Sequence, residues 1–181
     1  MASVFVSHSA EDQEGKAFLQ ALFGSVGHKA FFYSWEGPVA PHSDTLRSKI
    51  SNADSLFLLL SPHIENNFTI AWVACEVGMA LALSKPVWVL ERLIGRGARI
   101  AKVPVPGLTG YIERPSKLPN LRAQPYFSLV EQAGLGVPVG PDGQEIQKTS
   151  CPNQKCRAPY YVYFEGPRLI CPACRTAITL K

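Results

Sequence analysis

SLFLLLS, residues 55–61, is a run of five consecutive apolar side chains closed at each end by serine. A strand with one wet face alternates apolar and polar residues. An unbroken apolar run belongs to a strand covered on both faces, as in the interior of a parallel sheet. The flanking segments agree with that reading. Upstream, SVFVS (3–7) is a second short β-rich run, followed by the polar turn HSAED. Ala17, Phe18, Ala21, Leu22 and Phe23 then recur at helical spacing, with Ser9 or Asp12 placed to cap the helix. GHKAFFYS (27–34) reads as a turn with Gly27 at its corner and a further strand. WEGPVAPHS (35–43) is a Gly/Pro loop, and Leu46 and Ile50 mark a short helix capped by Ser43 or Asp44.

Downstream of residue 61 lies IAWVACEVGMALAL (70–83), a helix that stops at Ser84-Lys85-Pro86, and then the apolar strand VWVLE (87–91). Strands alternating with helices predict an open, flavodoxin-like parallel α/β sheet with helices on both faces. Ligands of such sheets gather beyond the carboxyl ends of the strands, so loops 7–12 and 34–43 should share one rim. A fifth, edge strand is expected around Tyr111-Ile112, and a last helix within LRAQPYFSLVEQAG (121–134). The Gly/Pro-rich GLGVPVGPDGQE is the expected boundary. The predicted organisation is a main domain over 1–133, a linker over 134–149 and a small unit over 150–181.

A chain of 181 residues with 46% hydrophobic and 18% charged side chains can hold one such domain and a small appendage, and it is not broadly disordered. The net charge of +4 names no partner. MASVFVSHS lacks the basic start and apolar core of a signal peptide, which leaves a cytoplasmic location as the expectation.

The helix at 70–83 carries one ionisable carboxylate, Glu76, and no other charge. It is too short for a bilayer, which takes about 20 apolar residues. Trp72, Glu76, Met79, Ala80 and Leu83 share one helical face, so the carboxylate lies on or beside the apolar stripe. That position is costly unless the group is paired or used. The bland reading of Glu76 is a half-buried structural carboxylate, and of Cys75 a small buried hydrophobe.

The remaining four of the five cysteines fall in SCPNQKCRAPYYVYFEGPRLICPACR. Cys151 and Cys156 have four residues between them, Cys171 and Cys174 have two, and fourteen separate the pairs. This spacing predicts a closed, structural four-cysteine Zn²⁺ site of zinc-ribbon type, with YYVYFEGPRLI as a hairpin turning at Gly166-Pro167. Tyr160, Tyr161 and Tyr163 could stack on bases, but the zinc-loaded tail is only weakly basic, which argues against nucleic acid and for a hairpin core or a protein contact.

Taken in order, VFVSHSAEDQEGKAFLQAL, SLFLLLSP, the Trp72-to-Glu76 helix and KPVWVLE resemble the strands and helices of TIR domains, over roughly residues 2–130. The resemblance implies a TIR fold and, on the pattern of NAD-cleaving members, an NAD+ nucleosidase that yields ADP-ribose or a cyclic ADP-ribose-type signal. It implies that Glu76 is the catalytic carboxylate and that Trp72 walls the pocket. Ser7, His8 and Ser9 would contact the nucleotide, with His42 and Asp44 nearby. It also implies self-assembly into a homo-oligomer or filament, with no membrane partner. The sequence departs from the family in reading His-Ser-Ala where several relatives carry arginine in the first loop, and Ala40-Pro41 where a glycine usually precedes the second helix. Two other readings stay open: a non-catalytic TIR interaction module, and a nucleoside-processing enzyme on a related sheet.

Overall fold

The computed structural model describes residues 1–33, 43–65, 67–92, 109–114, 133–134, 148–157, 159–163, 168–170, 174 and 176–179. Its first half follows the expected alternation: β1 (Ser3–Ser7), α1 (Gln13–Ser25), β2 (Lys29–Phe32), α2 (Ser43–Ser51), β3 (Ser55–Leu60), a 3-10 turn (Pro62–Glu65), α3 (Asn67–Ala82) and β4 (Val87–Arg92). The fifth expected strand is β5 (Gly110–Arg114), but it is not the edge it was expected to be, because strands of the tail continue the sheet beyond it. These five strands are parallel and lie in the order β2-β1-β3-β4-β5. That is the doubly wound, flavodoxin-like order, whose direction of winding reverses between β1 and β3.

Side-chain alternation sorts the sheet into two apolar layers. Phe5, Leu56, Leu58, Leu60, Val87 and Val89 face α2 and α3, packing with Leu46, Ile50, Val73, Val77 and Ala80. Val4, Val6, Phe57, Leu59, Trp88 and Leu90 face α1, packing with Phe18, Leu19, Leu22 and Phe23. All six residues of β3 are buried, which is the condition that the unbroken run at 55–61 predicts.

Local chemistry sets the ends of the helices. Asp12 caps α1, its Oδ1 accepting from the Gly15 amide at 2.8 Å. Both α1 and α3 close with paired backbone bonds around a left-handed residue. In α1 these are His28 N to Phe23 O and Gly27 N to Gly24 O, with Gly27 at φ 72°. In α3 they are Lys85 N to Ala80 O and Ser84 N to Leu81 O, with Ser84 at φ 55°. The fragment 133–134 returns to the amino-terminal end of the sheet. Ala133 is buried there, and the Gly134 carbonyl accepts from Ser55 Oγ at 2.9 Å.

The tail departs from the predicted hairpin. β7 (Pro159–Tyr163) pairs in parallel with β5 and antiparallel with β6 (Lys148–Ser150), extending the main sheet to seven strands. β8 (Arg168–Ile170) pairs instead with β9 (Ala177–Thr179) in a separate two-stranded sheet. The unpaired backbone edge of β5 competes for the tail strand, and pairing there replaces the local pairing expected across Gly166-Pro167, two residues that lie outside those described.

Gly110 tests the packing of β4 against β5. A Cβ at Gly110 would overlap the buried Trp88 ring. Gly110→Ala should therefore lower the unfolding free energy by about 1–3 kcal/mol, read as a reduced urea midpoint with an unchanged slope.

Candidate active site and metal centre

Ser7 is the last residue of β1 and shares a face with Phe5, so its side chain points toward α3. Glu76 lies midway along α3 beside Val73, Val77 and Ala80, on the face turned to the sheet, and is only 2% exposed. The two meet, with the Ser7 hydroxyl donating to Glu76 Oε2 at 2.5 Å. The Trp72 side chain, one helical turn earlier, supplies a second hydrogen bond to the carboxyl. Burial pushes the Glu76 carboxyl from its ordinary 4.5 up to about 8, and the bonds from Ser7 and Trp72 pull in the opposite direction. The carboxyl is thus neutral through most of the physiological range and held at the carboxyl end of β1, where the winding of the sheet reverses.

The first loop is ordered by its own polar atoms. His8 is buried, its ring edge-on to Phe32 at 5.5 Å and its Nδ1 3.3 Å from the Val6 carbonyl. That carbonyl can only accept, so the proton sits on Nδ1. Burial holds the imidazole below its ordinary value, partly offset by the Val6 bond, so it is neutral and its Nε2 is a buried acceptor with no donor among the described residues. Ser9 is also buried and its Oγ accepts from the Glu11 amide at 3.3 Å. Glu11 and His63 approach to 3.8 Å, which joins the loops after β1 and β3 at one rim.

The structure therefore brings together Ser7, Glu76 and Trp72 and places His8 and Ser9 in the adjoining loop. Asp44 is exposed in the first turn of α2, and His42 lies outside the described residues. Cys75 corrects its expectation. It is exposed, because it falls on the far side of α3 from Val73, Glu76 and Val77. The direct contact between Ser7 and Glu76 is absent from the sequence reading, although a serine ending an apolar strand in step with Phe5 is its local signal.

A second cluster forms in the tail. The sulfurs of Cys151, Cys156 and Cys174 all lie within 4.8 Å of one another, and those of Cys151 and Cys174 are 3.3 Å apart. Four thiolates around Zn²⁺ at about 2.3 Å stand about 3.8 Å apart, so this arrangement fits a metal-binding set. Cys171 lies outside the described residues. Asn153 organises the turn, its carbonyl accepting from the amides of Cys156 and Arg157, with Arg157 at φ 44°. Burial pushes the Cys174 thiol up, but hydrogen bonds from the Thr176 side chain and backbone and from the other two cysteines outweigh it and bring the thiol down to about 6. That favours the thiolate a metal needs.

No family model matches the chain, and no curated protein matches it. Among solved structures it is similar to the TIR domains of the activated Roq1 resistosome, at 14% identity over 51% of this chain and 58% of that one, with TM-score 0.37. It is similar to the CMP N-glycosidase BcmB of Clostridium botulinum, at 16% identity over 51% of this chain and 71% of that one, with TM-score 0.35. It is also similar to diflavin flavoprotein A3 of Nostoc sp., at 18% identity over 75% of this chain and 90% of that one, with TM-score 0.44. The chain spans little more than half the length of the TIR chain it matches. The doubly wound assignment rests on the strand order. Among the described residues no helix is long and apolar enough to cross a membrane.

Burial of Glu76 has a sign that stability measurements can read. Folded protein holds the Glu76 proton up to about pH 8, while the unfolded chain releases it near 4.5. The unfolded state therefore binds fewer protons in that window, and stability falls as pH rises through it, by at most about 1.4 kcal/mol per pH unit. Glu76→Gln should remove this slope, so the variant gains on the wild type between pH 5 and pH 8 and runs parallel to it above that. Ser7→Ala removes a bond that favours the charged form and should move the upper end of the window to higher pH. Parallel wild-type and Glu76→Gln melting curves across the window would contradict the assignment.

Proposed function

We propose that the chain is a TIR-type NAD+ nucleosidase in which Glu76 stabilises the cation that develops on the nicotinamide ribose. The observation that carries this reading is the carboxyl of Glu76, buried at the winding reversal and held by Ser7 and Trp72. Departure of nicotinamide breaks the C1′–N bond, and the electron pair leaves with the ring nitrogen, which becomes neutral. Positive charge is left on the ribose, the same difficulty that glycosidases meet with acidic side chains. A carboxylate in a partly dry cleft stabilises that charge more than one in water, and it can accept hydrogen bonds from the ribose hydroxyls. Water then forms the new C1′–O bond, loses its proton to solvent and yields ADP-ribose. Attack by a nucleophilic atom of the same molecule instead yields a cyclic ADP-ribose-type product.

The hydrogen bonds from Ser7 and Trp72 have a role in this chemistry. They fix the carboxyl's rotamer and favour its ionised form when a cationic substrate arrives, so little reorganisation is left for the bond-breaking step. The neutral imidazole of His8 and the hydroxyl of Ser9 line the same loop and are the proposed nucleotide contacts, with Asp44 and His42 on the neighbouring loop and helix. The reading includes self-assembly into a homo-oligomer or filament.

Because the free protein must lose the Glu76 proton to provide a carboxylate, kcat/KM for NAD+ should rise about tenfold per pH unit below about 8 and level off above it. Glu76→Gln should fold and should reduce kcat/KM by about a hundredfold or more, measured as nicotinamide release by chromatography. Specific activity should increase with protein concentration where assembly completes the site. CMP and free deoxynucleosides run beside NAD+ separate this activity from a nucleoside hydrolase. Full cleavage by Glu76→Gln sinks the catalytic role. A wild type inert toward all of these substrates at high concentration, yet able to assemble, is the result that favours an interaction module.

A further inference from the structure

We propose that the cysteine cluster is a joint for a thiophilic divalent metal of the Zn²⁺ class, that it holds the last hairpin of the chain against the extended sheet, and that it thereby keeps β7 on the open edge of β5. The sulfurs occupy the connections of two different hairpins. Cys151 immediately follows β6 and Cys156 precedes β7, so both belong to the β6–β7 connection. Cys174 lies between β8 and β9, which form the other sheet. The two connections face each other through the 3.3 Å approach of Cys151 to Cys174. Asn153 reinforces it, its Nδ2 lying 3.2 Å from Thr176 Oγ1 and 3.7 Å from Cys174 Sγ.

What the joint protects is the edge of the parallel sheet. Without β7, strand β5 would present its outer row of N–H and C=O groups to water or to another chain. In the folded chain Gly110, Tyr111 and Ile112 pair instead with Tyr161, Val162 and Tyr163. The covering hairpin is short: β6 has three residues and β7 five. Two strands of that length hold poorly by themselves in water. Their connection is buttressed where it meets the metal ligands. Cys151 is buried in the apolar layer that contains Val73, Val77 and Ala80 of α3, and Cys156 and Cys174 pack against that layer. Binding a metal to three or more thiolates would therefore draw both hairpins onto the α3 side of the sheet, and its loss would release them together.

Hydrogen exchange on the full-length chain decides this without any activity measurement. Zinc content is measured first, and exchange is then followed with the metal bound, after chelation under reducing conditions, and after Zn²⁺ is restored. The expected result is stoichiometric zinc and exchange at least tenfold faster in residues 110–114, 148–150 and 159–163 of the chelated protein. Residues 3–7 and 55–60 should stay protected, and restored Zn²⁺ should reverse the change. Cys174→Ser should show the chelated pattern without chelator. Failure of the reduced chain to take up zinc overturns the site. Unchanged exchange in 110–114 after metal loss overturns its link to the edge, and equally fast exchange in β1 and β3 overturns a local joint.

Discussion

A carboxyl group buried between a helix and a sheet needs partners, because desolvating it without hydrogen bonds costs several kcal/mol. Ser7 and Trp72 supply them to Glu76, and much of the local architecture follows from the need to keep those three groups together. β1 must end at residue 7 with its last side chain on the α3 face. α3 must present position 76 toward the sheet with Val73 and Val77 on either side. The residual cost of burial shows as the raised carboxyl, a strain on stability that an isosteric neutral side chain would relieve. Under the proposed function, that cost comes from keeping a carboxyl where the chemistry uses it.

The location of that group matters as much as its protonation. In a doubly wound sheet the chain winds outward in both directions from one pair of central strands, and the loops beyond their carboxyl ends leave a crevice. Here the pair is β1 and β3, and the Ser7–Glu76 contact sits at the end of β1. The loop after β1 is stiffened by the Asp12 cap and the Ser9 turn, and the Glu11–His63 approach ties it to the loop after β3. A nucleotide laid across this rim would meet backbone and side chains already ordered, which lowers the entropic cost of binding.

The tail shows how tertiary context overrides local pairing. YYVYFEGPRLI has the pattern of a hairpin, yet β7 finds its partners in β5 and β6. A parallel sheet carries an edge at each side, and the five-residue β5 offers a longer template than the three-residue β8. Three of the four cysteines that the spacing singles out, Cys151, Cys156 and Cys174, converge, and Cys171 lies outside the described residues. The spacing carried no information on which strands those turns would join.

Periodicity and composition by themselves determined the order of strands and helices from β1 to β5, the burial of both faces of residues 55–60, a first helix capped at Ser9 or Asp12, the helix ends at Gly27 and Ser84, and the presence of a carboxylate on the apolar helix. Each of these is a local property, dictated by side-chain pattern and backbone preference within a few residues. The structure chose Asp12 as the cap. Tertiary structure alone decided that Ser7 and Glu76, 69 residues apart, share a hydrogen bond, that Cys75 faces outward, and that β7 extends the main sheet. These depend on strand register, on the rotation of α3 about its axis and on competition for a sheet edge. All three are settled by packing between segments distant in the chain, where one residue of shift exchanges a buried side chain for an exposed one.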